Sequence, residues 1–390
     1  MKTSRPRPRI RDVAEAAGVS ETTVSHVLNN KGRVDAATRA RVAEVAERLG
    51  YRPNSNAKSL RSGRTDTIAL LLPVGVDTTN SHHILAVDFY LSLTVNCVEA
   101  AFDRDQALLQ LPPLREIGDL RRFSIDGGIV VDPVPRDPRV AMFHRLNLPV
   151  VTIGRDIASP RDPWWVAADS VASTTAVLDH LAAAGAERVA MLSVDIEWSW
   201  FTDAERAYAE WTRARGGDPL LVLAKPDKLP ASAAEAADAL LDLRPDAVYA
   251  PPQWLATGLL RAARERGVRV PGDLLVAVGV DSHLARTSEP PLTAVDLDPA
   301  RTAREAVDLL ARRIENRDPE GPRLIPAGLR PRASTRSQDP ASTAGHKAAP
   351  APGRKGATAP GKEGASALDR EDAAAPGREA AAGPGKEGVS

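Results

Sequence analysis

The sequence has 390 residues, which is enough for two or more domains with buried cores. Its formal net charge of zero hides an uneven distribution, because residues 1–62 carry thirteen Lys and Arg against six Asp and Glu, whereas residues 63–337 carry 31 against 38. The single cysteine, Cys97, excludes an intramolecular disulfide, and the lack of any uninterrupted run of 18 apolar residues argues against a membrane span.

The first predicted element is a short amphipathic helix. Ile10, Val13, Ala14 and Ala17 recur at the i, i+3, i+4, i+7 spacing that places side chains on one helix face. Gly18 is predicted to end this helix in a tight turn. The apolar face therefore needs a partner, which the next two elements can provide.

A second and a third helix are predicted directly after this turn. Ser20 is a good N-cap for the second helix, in which Val24, Val27 and Leu28 face inward. The opposite surface carries short polar side chains, namely Glu21, Thr22, Ser25, His26 and Asn29. Asp35 is predicted to cap the third helix. The inward positions of that helix are Val42, Val45, Ala46 and Leu49.

The order of helix, glycine turn and helix permits two interpretations. A small helical bundle without a ligand satisfies the apolar spacing, and so does a helix-turn-helix unit that places its second helix in the major groove of DNA. The net charge of +7 over residues 1–62 favours the second interpretation, because a module that binds phosphates needs to be basic.

The segment after the third helix is predicted to form a bend and then a short helix. Pro53 prevents a continuous helix, and Asn54 can cap a new one. One face of this helix contains Ala57, Lys58 and Arg61. Leu60 either packs against its own domain or acts as an apolar wedge in the minor groove of DNA.

Residues 10–72 resemble the amino-terminal region of the LacI family of bacterial transcriptional repressors. The match is nearly continuous over IRDVAEAAGVSETTVSHVLN, VDAATRARV and LGYRPNSNAKSLRSGRTDTIALL. The resemblance implies a hinge helix over residues 54–61 that inserts Leu60 into the minor groove. It implies base reading by Glu21, Thr22, Ser25 and His26. Further DNA contacts are expected from Ser20, Thr23, Asn29, Tyr51, Asn54, Ala57, Lys58 and Arg61.

From Thr67 onward, short apolar runs alternate with longer helical patterns. The runs, each too short for a helix, are IALLLP, QALLQL, GGIVVD, PVVTIG, RVAMLSV, PLLVL, DAVYA and LLVAVGVD. Helical stretches such as STTAVLDHLAAAG and EAADALLDL lie between them, which predicts βαβ units and parallel sheets. Eight strands are more than one compact sheet usually holds in a chain of this length, so two lobes are expected.

The predicted fold class is therefore α/β, with an all-α helix-turn-helix head and a two-lobed body. The family resemblance continues to about Ser337 and implies a periplasmic-binding-protein-like body that dimerises and holds a small effector in its cleft. The predicted domains are the head at 1–52, the hinge at 53–63, the body at 64–337 and a tail at 338–390. The tail is a Pro, Gly and charge repeat of low apolar content, which predicts disorder.

The body shows no sign of enzymatic chemistry in its sequence. It contains no glycine-rich phosphate loop, no nucleophile elbow and no zinc-like histidine spacing, so neither an enzyme nor a cofactor is expected. His82 and His83 are adjacent, which favours a solvated loop pair over a metal site. The N-terminal MKTSRPRPRI lacks an apolar signal region, and a cytoplasmic location is expected.

The resemblance also implies where the effector binds. Phe89 and Tyr90 occupy the position of paired aromatic residues that line the family's cleft, and Arg206 and Asp281 match effector-contacting residues. Either charged residue could instead be structural, Arg206 by pairing with a nearby acid and Asp281 by capping a turn. Trp254, at a helix start that departs from the family pattern, is a further candidate for effector contact. Two further tryptophan pairs, Trp164 with Trp165 and Trp198 with Trp200, are predicted to lie in loops, where tryptophan either seals a core or stacks on sugar faces.

These features support two hypotheses. The first is a dimeric, sequence-specific transcriptional regulator, a repressor, that binds a near-palindromic operator and an effector of unknown identity. The second is a solute-binding or sugar-processing protein whose basic head is incidental. The second hypothesis requires a secretion signal or catalytic carboxylates in the cleft, and neither is visible in the sequence.

Overall fold

The computed structural model of the protein describes most of the head and the body. The residues described are 8–28, 32–51, 63–73, 88–114, 116–229, 231–318 and 320–336, and the side chain of residue 227 is not among them. The predicted hinge at 53–63, apart from Gly63, lies outside the described residues. Asn29, the His82–His83 pair and the predicted tail at 338–390 also lie outside them.

Three helices form the head as predicted. They are α1 (Ile10–Ala17), α2 (Glu21–Leu28) and α3 (Ala36–Leu49). Their buried side chains form one apolar cluster of Val13, Ala14, Ala17, Val24, Val27, Val42, Val45 and Ala46. Leu49, which was expected in this core, is 37% exposed because it is the last residue of α3.

Single residues set where the helices of the head begin and end. Gly18 ends α1 in the left-handed conformation with φ 65°, where a side chain would be strained. The Ser20 hydroxyl accepts a hydrogen bond from the backbone N–H of Thr23 at 3.1 Å, and the Asp35 carboxylate accepts one from Thr38 at 2.8 Å. Both predicted N-caps are confirmed, and each satisfies a backbone donor that the helix itself leaves unpaired.

The body alternates strands and helices along the chain. In chain order its elements are β1 (Thr67–Leu71), α4 (Asp88–Phe102), β2 (Ala107–Gln110), α5 (Ile117–Arg121), β3 (Gly127–Val131), α6 (Pro138–Arg145), β4 (Val150–Ile153), β5 (Trp165–Ala168), α7 (Ser170–Ala183), β6 (Val189–Val194), α8 (Ser199–Ala214), β7 (Leu220–Ala224), α9 (Ala231–Asp242), β8 (Ala247–Ala250), α10 (Leu255–Glu265), β9 (Leu275–Val278), α11 (His283–Thr287), β10 (Thr293–Asp296), α12 (Pro299–Ile314), β11 (Arg323–Ile325) and β12 (Gly328–Arg330). Short 3-10 turns cover Pro226–Lys228 and Ala333–Thr335.

These strands form two sheets, one in each lobe. The N-terminal lobe has the order β11-β5-β4-β3-β1-β2 with all neighbours parallel, and the C-terminal lobe has the order β12-β10-β9-β8-β6-β7 with only β12 antiparallel. All eight predicted strands are present, and the prediction of two lobes is confirmed. Four strands were missed, namely β5, β10, β11 and β12. The last two are only three residues long, the tryptophan pair at β5 was interpreted as a loop, and Thr293 and Asp296 interrupt the apolar run of β10.

Within the described residues, the chain crosses between the two lobes three times. The crossings lie at Asp169 between β5 and α7, at residues 297–298 between β10 and α12, and at residues 326–327 between β11 and β12. The first and third are tied together, since the backbone N–H of Asp169 donates to the carbonyl of Ile325 at 2.9 Å. At the second, Asp298 has the left-handed φ of 46° and caps α12 through its carboxylate. Three short connections therefore link lobes that each have their own core.

Apolar layers cover both faces of each sheet. One face of the N-terminal sheet packs against α4 and α12, and the other packs against α5 and α6. In the second layer the ring of Phe143, which is fully buried, lies over Gly128 in β3. No helix in the described part of the chain is both long enough and apolar enough to cross a membrane.

The contact between Gly128 and Phe143 gives a stability prediction. A Cβ atom on Gly128 would stand 2.2 Å from Cζ of Phe143, so Gly128→Ala forces the ring out of its position. We expect a loss of about 1–3 kcal/mol, typical of overpacking, measured as a lower thermal unfolding midpoint by circular dichroism. Gly328→Ala is the control, since no atom beyond its two neighbours in the chain lies within 4 Å of its Cβ position. Equal midpoints for the two variants would contradict the prediction.

Candidate functional site

The outer surface of α2 is polar and accessible. Glu21, Thr22 and His26 are exposed, whereas Val24 and Val27 of the same helix are buried in the head core. Ser25 and Thr23 are half-buried, and Ser20 lies at the start of the helix with its hydroxyl 2.9 Å from that of Thr23. The predicted reading residues thus share one surface, and the core beneath them fixes its orientation.

Two residues outside α2 adjoin this surface. Gly32 has φ 72°, and a Cβ on it would lie 2.7 Å from Nδ1 of His26, so the imidazole rests directly against this glycine. Tyr51 follows α3 and packs half-buried against the head core. Burial and the charge of Glu21 raise the pKa of the Tyr51 hydroxyl. The Tyr51 hydroxyl therefore lies within electrostatic range of the Glu21 carboxylate.

A cavity of about 950 Å³ lies between the lobes of the body. Residues directly after strands line it, including Asp132 after β3, Gly154 after β4 and Gly279 after β9. The carboxyl ends of parallel strands are where open α/β sheets usually bind ligands. The sheets therefore place loop side chains from both lobes around one space.

Aromatic side chains form much of the cavity wall. The C-terminal lobe supplies Trp198, Trp200, Phe201 and Trp254, with the rings of Trp200 and Phe201 centred 3.6 Å apart. The N-terminal lobe supplies Phe89, Tyr90 and Trp165. The prediction of loop positions was wrong for Trp165, which lies in β5, and for Trp200, which lies in the first turn of α8.

One ion pair bridges the lobes beside the cavity. The Arg155 guanidinium donates to both carboxylate oxygens of Asp203 at 2.7 and 2.9 Å, and the backbone N–H of Arg155 donates to the Ser199 hydroxyl at 3.0 Å. Arg155 follows β4 in the N-terminal lobe, while Ser199 and Asp203 lie on α8 in the C-terminal lobe. The side chains of Arg155 and Asp203 are only 25% and 21% exposed, so water screens the pair weakly.

A second polar bridge involves α4 and α11. The Asp88 carboxylate, at the first residue of α4, accepts a hydrogen bond from the backbone N–H of His283. It also lies 3.5 Å from the guanidinium of Arg286. Both Asp88 and His283 line the cavity. The lobes are consequently joined by side chains at two places around the space that a ligand would fill.

The predicted effector residues do not all reach the cavity in the same way. Phe89, Tyr90 and Trp254 all line it, but Tyr90 is buried and its hydroxyl donates to Asp132 at 2.6 Å. Arg206 lies at the rim with a side chain that is 59% exposed and bonded to Asp203. The inward position on this turn of α8 belongs to Ala204, which is buried and lines the cavity.

Asp281 is not among the residues that line the cavity. Its carboxylate accepts hydrogen bonds from Arg332 at 2.8 Å and from Arg286 at 3.2 Å. The N-cap of α11 is the neighbouring Ser282, whose hydroxyl accepts from the N–H of Ala285. This geometry favours the structural alternative for Asp281, with ion pairs in place of the predicted turn cap.

Sequence reasoning missed Asp132, Arg155 and Asp203. Asp132 ends the run GGIVVD, and a polar residue at the carboxyl end of a buried strand was the signal that could have identified it. Arg155 and Asp203 are 48 residues apart, so only the folded structure brings them together. Within the described ranges, no group of three or more His, Cys, Asp or Glu residues could hold a metal ion.

Comparisons with known proteins agree with this architecture. A family model for "Bacterial regulatory proteins, lacI family" matches residues 9–54, and one for "Periplasmic binding protein-like domain" matches residues 178–335. The transcriptional regulator CelR of Thermobifida fusca is 30% identical over 332 residues, which cover 82% of this chain and 96% of CelR. The chain belongs to the LacI family. The regulator DegA of Bacillus subtilis is also 30% identical, over 73% of this chain and 85% of DegA.

Solved structures show the same fold. A CelR–cellobiose complex is 26% identical with a TM-score of 0.63, and the alignment covers 84% of this chain and all of CelR. The lac repressor dimer bound to operator and the anti-inducer ONPF has a TM-score of 0.71 at 22% identity, over 85% of this chain and all of the repressor. The similarity to the lac repressor, at 22% identity, shows a shared fold and nothing beyond it.

Family membership decides between the two hypotheses from the sequence. The chain is a DNA-binding transcriptional regulator with a helix-turn-helix head and a periplasmic-binding-like body, and it is not an enzyme. The match at 9–54 means that the basic head is a defining part of the protein and not incidental to a solute-binding body.

The bridge between Arg155 and Asp203 gives a prediction about lobe closure. Arg155→Met removes charge-assisted hydrogen bonds worth about 1.5–3 kcal/mol. The equilibrium between closed and open lobe arrangements should therefore shift roughly tenfold or more towards the open one. Spin labels on cysteines at positions 122 and 243, one on each lobe, should report longer distances, and the buried Cys97 should not react.

Arg215→Met is the matched control for this measurement. It removes a similar pair with Asp179 at 2.9 Å, but both partners belong to the C-terminal lobe. The distances in this control should equal those in the unmodified protein. Identical distances for Arg155→Met and the unmodified protein would show that the ion pair does not hold the lobes together.

Proposed function

We propose that the protein is a dimeric repressor that binds a near-palindromic operator and is controlled by a carbohydrate in the cavity between its lobes. The cavity carries this proposal, since both lobes supply its walls and polar bridges cross it at two places. A ligand in this space contacts both lobes at once. Its binding therefore favours one lobe arrangement over another, as control of DNA affinity requires.

A carbohydrate suits the chemistry of the cavity. Aromatic faces from Trp198, Trp200 and Trp254 can stack on the apolar faces of sugar rings, and carboxylate and amide groups such as Asp132 and Gln253 can bind hydroxyls. The similar CelR has been solved with cellobiose, which supports a sugar effector for this chain as well. The coupling between ligand and DNA is typically about 1–3 kcal/mol in allosteric proteins.

DNA recognition is assigned to the head and hinge. Glu21, Thr22, Ser25 and His26 read base edges from α2 in the major groove. Thr23 and Asn29 lie beside the phosphates, and Ser20 and Tyr51 are further DNA contacts. The hinge contributes Asn54, Ala57, Lys58, Leu60 and Arg61 at the operator centre, where Leu60 acts as a minor-groove wedge. Two heads on a two-fold axis read two half-sites. Operator binding of this kind places the protein in the cytoplasm.

An exposed apolar stripe on α4 supports the dimer. Leu91, Val95, Val98 and Phe102 are 59%, 57%, 47% and 77% exposed, and their spacing of four, three and four residues places them on one face. The opposite face of α4 is buried against α12 through residues such as Leu93 and Cys97. A contiguous apolar stripe of this kind is typical of a subunit interface. We assign it to a second copy of the chain.

Selection of DNA from a random duplex library by the full chain tests the proposed function. We expect a near-palindromic site that binds roughly a thousandfold or more tighter than random duplex at the same salt concentration. His26→Ala should change the preferred base at one position in each half-site. The binding free energies of the original and the new base at that position should change relative to each other by about 1–3 kcal/mol. Arg48→Ala, an exposed change on α3, should leave the preference unchanged. If no site is enriched, the assignment of a sequence-specific operator is wrong.

Val95→Asp tests the proposed subunit interface. Two copies of a buried carboxylate facing each other in an apolar contact should prevent association, so sedimentation velocity should show a monomer at micromolar concentrations and weaker operator binding. Leu243→Asp is the control, because Leu243 is similarly apolar and 39% exposed but lies on the other lobe. A dimer that survives Val95→Asp would place the interface elsewhere.

A further inference from the structure

Asp132 is a carboxylate buried in the wall of the cavity. It follows β3 directly, lines the cavity and has only 8% of its surface exposed. Its backbone adopts the left-handed conformation with φ 42°, which is uncommon for a residue with a side chain. A buried charge is costly unless hydrogen bonds compensate it. The donors around this carboxylate therefore indicate what the site is built to bind.

Only one oxygen of Asp132 has a hydrogen-bond donor among the described residues. The hydroxyl of Tyr90, which is itself buried, donates to Oδ2 at 2.6 Å. No described residue donates to Oδ1. This oxygen lies 3.1 Å from the point where a Cβ on Gly154 would stand, and Gly154 lines the cavity too. Oδ1 therefore borders the space that a ligand would occupy, as an acceptor without a donor among the described residues.

The cationic groups near Asp132 are engaged elsewhere. The Arg139 guanidinium bonds to the carboxylate of Asp137 at 2.7 Å and to the backbone carbonyl, not the carboxylate, of Asp132. Arg155, which lines the same wall, is held by Asp203. The other arginines that line the cavity, Arg206 and Arg261, pair with Asp203 and Glu265. Among the described residues, an anionic ligand would thus meet the Asp132 charge without an unpaired arginine beside it. A neutral ligand with hydroxyl groups would instead supply the donor that Oδ1 lacks.

We propose that Oδ1 of Asp132 accepts a hydrogen bond from an effector hydroxyl and restricts the cavity to uncharged, polyhydroxylated ligands. This inference rests on the proposed carbohydrate control and adds a charge selection to it. The aromatic walls alone would accept many ring compounds. Asp132 selects neutral sugars against sugar phosphates and sugar acids, and Tyr90 is the positioning residue that fixes the carboxylate.

The same arrangement makes ligand binding depend on pH. Burial raises the pKa of Asp132 to about 6, while the Tyr90 hydrogen bond and the charge of Arg139 act against this rise. The charged or titratable groups that face the carboxyl are Tyr90 from α4 and Arg139 from α6, with Asp137 paired to Arg139. Because Tyr90 occupies Oδ2, a proton taken up by Asp132 resides on Oδ1 and turns the acceptor into a donor. Affinity should therefore be near its maximum about one pH unit above 6, half of it near pH 6, and fall further below that.

Tryptophan fluorescence of the full chain provides the readout, since Trp165, Trp198, Trp200 and Trp254 line the cavity. The probes are the neutral sugars cellobiose, maltose, melibiose and raffinose, with cellobionate and maltobionate as anionic counterparts of the first two. A neutral disaccharide should bind at least tenfold tighter than its acid at pH 7.5. At pH 5, where roughly a tenth of Asp132 would be ionised, the affinity for the neutral sugar should be about tenfold lower.

Two variants separate charge selection from a merely structural effect. Asp132→Asn should lower the affinity for the neutral sugar about tenfold at pH 7.5 and reduce the preference for that sugar over its acid. It should also abolish the change in affinity between pH 7.5 and pH 5. Tyr90→Phe should keep the preference but move the midpoint of the pH profile upward, because the lost hydrogen bond had lowered the pKa of Asp132. Glu205→Gln changes another carboxyl whose pKa is raised by burial but which does not line the cavity, and it should leave the pH profile as it is.

The outcomes distinguish this inference from the proposed function. If none of the sugars changes the fluorescence or releases the selected operator, the proposed carbohydrate control fails and this inference fails with it. If a neutral sugar binds but its acid binds equally well, or Asp132→Asn retains both affinity and pH dependence, carbohydrate control stands and the assignment of Asp132 is wrong. Should Asp132→Asn fail to fold, the pH profile of Tyr90→Phe decides, and an unmoved midpoint overturns the inference.

Discussion

The three crossings between the lobes are the constraint on which the body depends. Each lobe is completed by a segment that returns from late in the chain, since α12 and β11 belong to the N-terminal lobe and β12 to the C-terminal one. Neither lobe is therefore a continuous piece of sequence, and neither can move without bending all three connections together. A body joined in this way has few low-energy motions, and rotation of one lobe against the other is the simplest of them.

Rotation of one lobe against the other changes the shape of the cavity, because the cavity lies between them. Its walls come from loops at the carboxyl ends of strands in both lobes, and Arg155 and Asp88 reach across it to the opposite lobe. These contacts are exchangeable hydrogen bonds and ion pairs, whereas the cores behind them are close-packed and apolar. The difference explains how the body can be rigid within each lobe and adjustable between them.

The sequence was sufficient for features that depend on local chemistry. The stripe from Ile10 to Ala17, the caps at Ser20 and Asp35 and the eight longer apolar runs each encode their element within a few residues. Features that depend on distant partners were not predictable in this way. The Asp281 carboxylate forms an ion pair with Arg332, which lies 51 residues further along the chain. Likewise, only the helical phase of α8 shows that Ala204 and not Arg206 faces inward. Short edge strands such as β11 exist because a neighbouring strand offers hydrogen bonds, which no periodicity within three residues can reveal.

Helix α4 combines features that are usually separate. Its first residue, Asp88, contacts the opposite lobe, its first turn carries Phe89 and Tyr90 at the cavity, and its outer face presents the stripe that begins at Leu91. A helix of 15 residues moves as a stiff rod of roughly 22 Å. A small tilt at the end that lines the cavity therefore displaces the whole outer face, in proportion to the distance along the axis. The cavity end of α4 and its exposed apolar face are thus parts of one rigid element, and no chain of intermediate residues is needed to connect them.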